Sequence, residues 1–305
     1  MPWTPHDMPF VVEKARRGYL ELLDTHRTNP SLQNAPNHDR VVRSLEEVGH
    51  FLEAPELSWM DTNVCELIES TLSSLPDWSP QSCIPSPSGL IGLERSTLRV
   101  PYESAWDDAF VPVDVAAIGW ETRQNTLRVF TLAYTGNIPG DVRSPLRKNL
   151  ALEVMTTSTV PLDEDVSGLS VQPVASISLN VEDFAQAAEK TLATLGSVWL
   201  LLAQDRVLNE APATVKVKKR GRSGDTYRSP VSVSVRSLTT RSRSTGSSKG
   251  GREKATTRWW VRGHWRQQAW GKDRALRKPV YIAPHTAGAK DADVDTRPKV
   301  QVIRE

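Results

Sequence analysis

Cysteine is scarce: Cys65 and Cys83 are the only two in 305 residues. Two thiols make neither a disulfide framework nor a zinc knuckle, and they read as a reduced pair in a cytosolic protein. Long apolar sequence is missing as well. No run approaches the roughly 18 residues that suggest a membrane-spanning helix. The opening Met1-Pro2-Trp3-Thr4-Pro5-His6-Asp7 has neither the basic stretch nor the apolar stretch of a secretory signal. Glycine loops of the Walker and dinucleotide types are also missing, and no internal repeat is evident. These absences predict a cytoplasmic protein with no membrane partner and no cofactor.

The short motifs that do occur fail on context. Gly246-Ser247-Ser248-Lys249-Gly250 spells a nucleophile elbow but lies in low-complexity sequence rather than at a strand-to-helix turn. Asp291, Asp293 and Asp295 imitate a calcium loop, yet Thr296 stands where glycine is needed and Val302 where glutamate is needed. Glu47 and His50 have the Glu-x-x-His spacing of di-iron bundles without a second copy, so His50 reads as an ordinary helical histidine. No catalytic or metal signature results, and the expectation leans away from an enzyme. A nuclease or other hydrolase whose carboxylates converge only in three dimensions stays open.

Charge is distributed unevenly. The net charge of +2 conceals an acidic body, residues 1–205, with 14 Lys and Arg against 28 Asp and Glu. Residues 206–305 carry 24 basic and 8 acidic side chains. A net −14 joined to a net +16 implies an anionic partner for the basic third, attraction between the two parts, or both. Tryptophan is abundant, with ten in the chain and four of them within 259–270.

Periodicity divides the chain into three regions. Residues 1–78 carry three-to-four apolar spacing over 10–24, 38–53 and 61–74, with Asp61 placed to cap the third helix. The prolines at 76, 80, 85 and 87 end this helical region. Residues 79–207 form an α+β core. Strands are expected at Leu90–Glu94, Ala151–Thr156 and Val171–Leu179, and a hairpin pairs Val113–Glu121 with Thr126–Tyr134 across Thr122-Arg123-Gln124-Asn125. A long helix follows from Asn180 to about Val207. Its stripe of Phe184, Ala188, Leu192, Leu195, Trp199 and Leu202 should centre the core. Residues 208–305 are basic and β-rich, with strands near 231–236, 256–262, 279–283 and 298–303 that should continue the core sheet. The stretch 241–254 holds no large apolar residue and is expected to be disordered. The predicted class is α+β, with N-terminal helices, a mostly antiparallel sheet and one long packed helix.

Within the basic third, arginine and tryptophan interleave from Arg258 to Trp270. The candidate binding residues are Arg258, Trp259, Arg262, His264, Trp265, Arg266, Gln268 and Trp270, with Arg274 beyond them. Two roles compete. Indole faces can stack on unpaired bases while the cations neutralise phosphates, as in single-strand binders. Alternatively, the tryptophans bury in the sheet and the arginines pair with the acidic body. Strand alternation puts Trp259, Val261 and Gly263 on one face and Trp260, Arg262 and His264 on the other, which does not decide between them.

The same element carries a resemblance. Trp260-x-Arg262-Gly263-His264-Trp265-Arg266-x-Gln268, then Gly271, a basic stretch, Pro279-x-Tyr281-Ile282-Ala283-Pro284-His285 and Gly288, resembles the C-terminal signature of a phage- and plasmid-borne family. That family includes anti-CRISPR proteins directed at the type V-A effector nuclease. Pro85-Ser86-Pro87-Ser88-Gly89-Leu90 and the hairpin with Ala117-Ile118-Gly119-Trp120 also fit it. The resemblance implies a non-enzymatic inhibitor of mobile-element origin. Such a protein blocks effector production by engaging the nascent N-terminal peptide and provoking loss of the message. Its partners would be a host or effector protein, or a translating ribonucleoprotein. The alternative from the residues themselves is an accessory protein that binds single-stranded RNA or DNA.

Overall fold

The computed structural model describes residues 3–53, 55–104, 110–147, 149–162, 172–173, 181–204, 208–215, 233–240, 258–261, 264–282 and 285–288. In chain order these form α1 (Met8–Thr28), α2 (Pro30–Gln33), α3 (His38–Phe51), β1 (Glu56–Met60), α4 (Thr62–Thr71), α5 (Pro80–Cys83), β2 (Ser88–Leu93), β3 (Arg99–Glu103), β4 (Phe110–Asp114), β5 (Ala117–Arg123), β6 (Thr126–Tyr134), β7 (Leu152–Pro161) and β8 (Gln172–Pro173). They continue as α6 (Val181–Leu202), β9 (Leu208–Val215), β10 (Val233–Thr240), β11 (Arg258–Val261), β12 (His264–Trp270), β13 (Leu276–Ile282) and β14 (His285–Gly288). The class is α+β.

Eight strands form one sheet in the order β8-β7-β6-β5-β2-β1-β10-β9. All of its pairings are antiparallel except those of β1, which runs parallel to both β2 and β10. Residues 208–240 therefore contribute two strands to the same sheet as residues 56–161. The 126–134 strand turns back on 117–123 through Gln124 and Asn125, at φ 49° and 61°. Two consecutive positive-φ residues make the tight turn whose twist matches a hairpin. The apolar run 113–121 is not one strand. Val113 and Asp114 end β4, Val115 donates to the Leu98 carbonyl, and Ala116 donates to that of Leu132. The chain thus crosses from the β3–β4 ribbon into the main sheet at that point.

Helices cover both faces of the sheet. On one side α4 and α6 pack Val64, Ile68, Leu195 and Trp199 against Ile91, Ile118, Trp120 and Leu127. On the other, α1 and α3 pack Met8, Val12, Tyr19 and Phe51 against Leu90, Phe130 and Leu132. Each such apolar side chain removed from water contributes about 1.5–3 kcal/mol. Tryptophans dominate the α6 side: Trp78 and Trp120 each meet Trp199 edge-on, with centroids at 5.7 and 5.4 Å. The Trp120 ring lies over Gly89 of β2, where a Cβ would collide with it, and its Nε1 donates to the Ser86 carbonyl at 2.9 Å.

Local signals explain the helix ends. The Asp61 carboxylate accepts from the Val64 N–H at 2.8 Å and starts α4, as its position predicts. That helix stops at Thr71 and gives way to a 3-10 turn over Leu72–Ser74. Helix α6 ends at Leu202, short of the predicted 207, where Gln204 donates from its backbone to the Leu201 carbonyl and from its side chain to the Pro279 carbonyl. Glu47 faces the sheet and pairs with Arg128 at 2.5 Å, while Arg128 also meets Glu121 at 3.1 Å and sits over the Phe130 ring. Its carboxylate thus belongs to a half-buried ion pair joining α3 to β6. Both cysteines are free thiols, and burial raises the Cys65 pKa to about 11. Among the described residues no helix is long and apolar enough to cross a membrane. The predicted cap Asn180, the stretch 241–254 expected to be disordered, the strand expected at 298–303 and most of that expected at 171–179 lie outside the described residues.

Candidate functional site

The Trp/Arg element folds as two antiparallel ribbons. In the first, β11 pairs with β14, with Trp259 opposite Ala287 and Trp260 opposite Thr286. Arg258 and Trp259 belong to β11, but only their backbone lies within the described structure, and Arg262 lies outside it. In the second, β12 pairs with β13, with Trp265 opposite Tyr281, Gln268 opposite Lys278 and Trp270 opposite Leu276.

Alternation along β12 separates the candidate residues. Trp265 points inward and is 8% exposed, meets Tyr281 edge-on at 5.4 Å, and joins the apolar cluster around α6. The Gln204 amide at the end of α6 donates to the Pro279 carbonyl of β13 at 3.3 Å, fastening the ribbon beside this contact. Neither the Trp265 Nε1 nor the Tyr281 hydroxyl has a hydrogen-bond partner among the described residues. Burial pushes the Tyr281 phenol up to about 12.

His264, Arg266, Gln268 and Trp270 share the other face with their cross-strand neighbours Lys278 and Leu276. His264 and Gln268 are half-buried and Arg266 is exposed. Trp270 is 48% exposed and Leu276 53%. The Lys278 ammonium lies 5.5 Å from the Trp270 ring centroid, a cation–π contact, while Arg266 donates to the Gln268 side-chain carbonyl. The connecting loop is unusual. Gly271 has φ 80°, and Asp273 and Arg274 both have φ 56°. Arg277 ties the loop down by donating to the Arg274 carbonyl at 3.2 Å. Left-handed backbone at two consecutive non-glycine residues is uncommon. Here it turns the exposed Lys272 and Arg274 at the ribbon tip. Sequence reasoning missed the contribution of Leu276 and Lys278 to the Trp270 face. Centring a hairpin on the Gly271–Arg274 loop would have placed both opposite β12.

Two other sites hold charge. A cleft of about 800 Å³ lies between the β3–β4 ribbon and α6, lined by Arg95, Arg99 and Lys190 with the carboxylates Glu69 and Asp114. Arg99 pairs with Asp114 at 2.8 Å, and Arg95 reaches Glu69 at 3.8 Å and Glu66 at 2.8 Å. The second site is internal. Glu153 on β7 is buried, and its Oε1 accepts from Arg147 at 2.6 Å and from the Tyr102 hydroxyl at 3.0 Å. Tyr19 of α1 accepts from the adjacent Val154 N–H at 2.8 Å. Burial, and then the nearby Glu153 charge, raise the phenol of Tyr102 to about 12 and that of Tyr19 further. This network ties α1 and the β3–β4 ribbon to the sheet. Among the described residues no group of three or more His, Cys, Asp or Glu is placed to hold a metal ion.

The sequence model of the AcrVA2-like family, described as the anti-CRISPR type V subtype A2 family, matches residues 58–286. The chain belongs to this family. The AcrVA2-like span runs from within β1 to within β14. It takes in α4, α6, seven strands of the main sheet entirely and both C-terminal ribbons, while α1 and α3 precede it. No curated protein matches the chain. A solved structure described as the crystal structure of AcrVA2 aligns over 93% of this chain and 95% of its own, at 12% identity and a TM-score of 0.38.

Proposed function

We propose that the chain is an anti-CRISPR protein that works by binding, and that it blocks a type V-A effector while the effector is being made. Its partner is the nascent effector, or the ribonucleoprotein translating it, in the cytoplasm. The observation carrying this reading is the family match over residues 58–286. Two features of the fold support binding over catalysis. The cleft beside α6 offers two carboxylates, each held by an arginine, rather than a cluster free to activate water. The C-terminal ribbon instead presents an exposed aromatic and cationic face. The test is a plasmid-interference assay in cells carrying a type V-A effector and a matching guide. Co-expression of the chain should restore transformation by the targeted plasmid. Interference at full strength with the chain present at high level would refute the proposal.

A further inference from the structure

The outward face of β12–β13 combines exposed cations with exposed large apolar side chains. Between His264 and Ile282 the ribbon carries Arg266, Lys272, Arg274, Arg277 and Lys278 against a single acid, Asp273. All five cations are exposed. In a chain whose first 205 residues are net negative, this ribbon thus sets positive charge beside a half-exposed indole and an exposed leucine.

We propose that this face binds single-stranded RNA, with a base stacked on Trp270 and the flanking phosphates held by Arg266, Lys272, Arg274 and Lys278. The physical case rests on what each group supplies. An indole on a surface exposes apolar area at a cost, and a base is a flat apolar partner for it in any sequence. Lys278 over the Trp270 ring steadies the indole and places a positive charge next to the stacking position, where a phosphate must pass. The left-handed loop turns Lys272 and Arg274 at the tip, extending the cationic track beyond the strands. An acidic peptide would satisfy the cations but leave the Trp270 face without a planar partner. A duplex would satisfy the cations while keeping its bases stacked internally. Trp265, on the opposite face and buried, takes no part. The choice of RNA over DNA rests on the proposed function, which puts the protein beside a translated message; the rest of the inference does not.

Fluorescence anisotropy with the full chain and a labelled oligouridine of about twelve nucleotides tests it directly. Binding should be measurable at about 50 mM salt and fall roughly 18- to 50-fold by about 200 mM, as expected for three to four phosphate contacts on a single strand. Trp270→Ala should weaken binding about fivefold or more, and Trp270→Phe should restore most of the loss. Arg266→Gln, Arg274→Gln and Lys278→Gln together should cost at least about tenfold and flatten the salt dependence. Melting temperatures guard against misfolding, and these positions are exposed. The inference is overturned by no binding at low salt, by ribbon variants that bind like the parent, or by duplex RNA or polyglutamate competing as well as oligouridine. Tighter binding of oligothymidine would overturn the RNA assignment. Because no effector is present, failure here leaves the interference assay as an independent test of the proposed function.

Discussion

Trp265 and Trp270 lie five residues apart on one strand, and their replacement should have unequal consequences. In an unfolded chain a tryptophan exposes about 200 Å². Trp265 keeps 8% of its exposure, so folding removes most of that area from water. At about 25 cal/mol/Å² this amounts to roughly 4–5 kcal/mol as an upper bound. Its Nε1 is buried without a partner among the described residues, which returns about 1–3 kcal/mol. Trp265→Ala should therefore destabilise by about 2–4 kcal/mol. Trp265→Phe keeps a ring and deletes the unpartnered N–H, so it should cost roughly 1 kcal/mol or less. Trp270, 48% exposed, buries only about half that area, so the same arithmetic gives roughly 2–3 kcal/mol as the upper bound for its replacement by alanine. Urea unfolding followed by circular dichroism reads the global change, and limited proteolysis within 258–288 reads detachment of the ribbon alone. A neutral Trp265→Ala by both measurements, or a Trp270→Ala more destabilising than Trp265→Ala, would refute the inward placement of Trp265.

Three further outcomes follow from the packing and ionisation. Tyr102 and Tyr281 have phenols raised to about 12, above an unfolded value near 10. Their contribution is fully present below about pH 10 and is lost as pH rises through about 12. Unfolding midpoints should fall over that window. Tyr281→Phe should blunt the fall and be neutral or slightly stabilising at pH 7, since it deletes an unpartnered hydroxyl. Asp61→Ala removes the cap of α4 and should cost about 1 kcal/mol, or about 2 °C in melting temperature. Gly89→Ala places a Cβ against the Trp120 ring and should cost at least about 1 kcal/mol by overpacking, measured by the same melts.

What the sequence disclosed follows burial. Helices α1, α3 and α4 each bury one stripe, so their spacing is visible in the order of residues, Asp61 marks a start by its chemistry, and α6 stands out by a C-terminal half buried on all sides. Strand β1 went unread. It lies between two parallel neighbours, and Leu57 and Trp59 face α1 and α3 while Met60 faces α4 and α6. A strand covered on both faces shows no alternation, and five residues are too few to stand apart from the helix that follows. Charge and aromatic content picked out the 258–274 element, but alternation alone could not say which face was buried. That depended on α6 and Gln204 meeting one side of the ribbon, a contact between residues about 75 apart. Lys278 and Leu276 joined the outer face for a related reason: their neighbours on that face come from the opposite strand.

The central claim is that this member of the AcrVA2-like family lowers the amount of effector made rather than blocking finished effector. Quantifying newly synthesised type V-A effector, with and without the chain, tests it directly when paired with an effector whose N-terminal segment has been replaced by unrelated sequence. The prediction is that synthesis of the native effector and its message fall together, while the N-terminally replaced effector is made at its normal rate. Loss of interference with effector synthesis unchanged would contradict the claim.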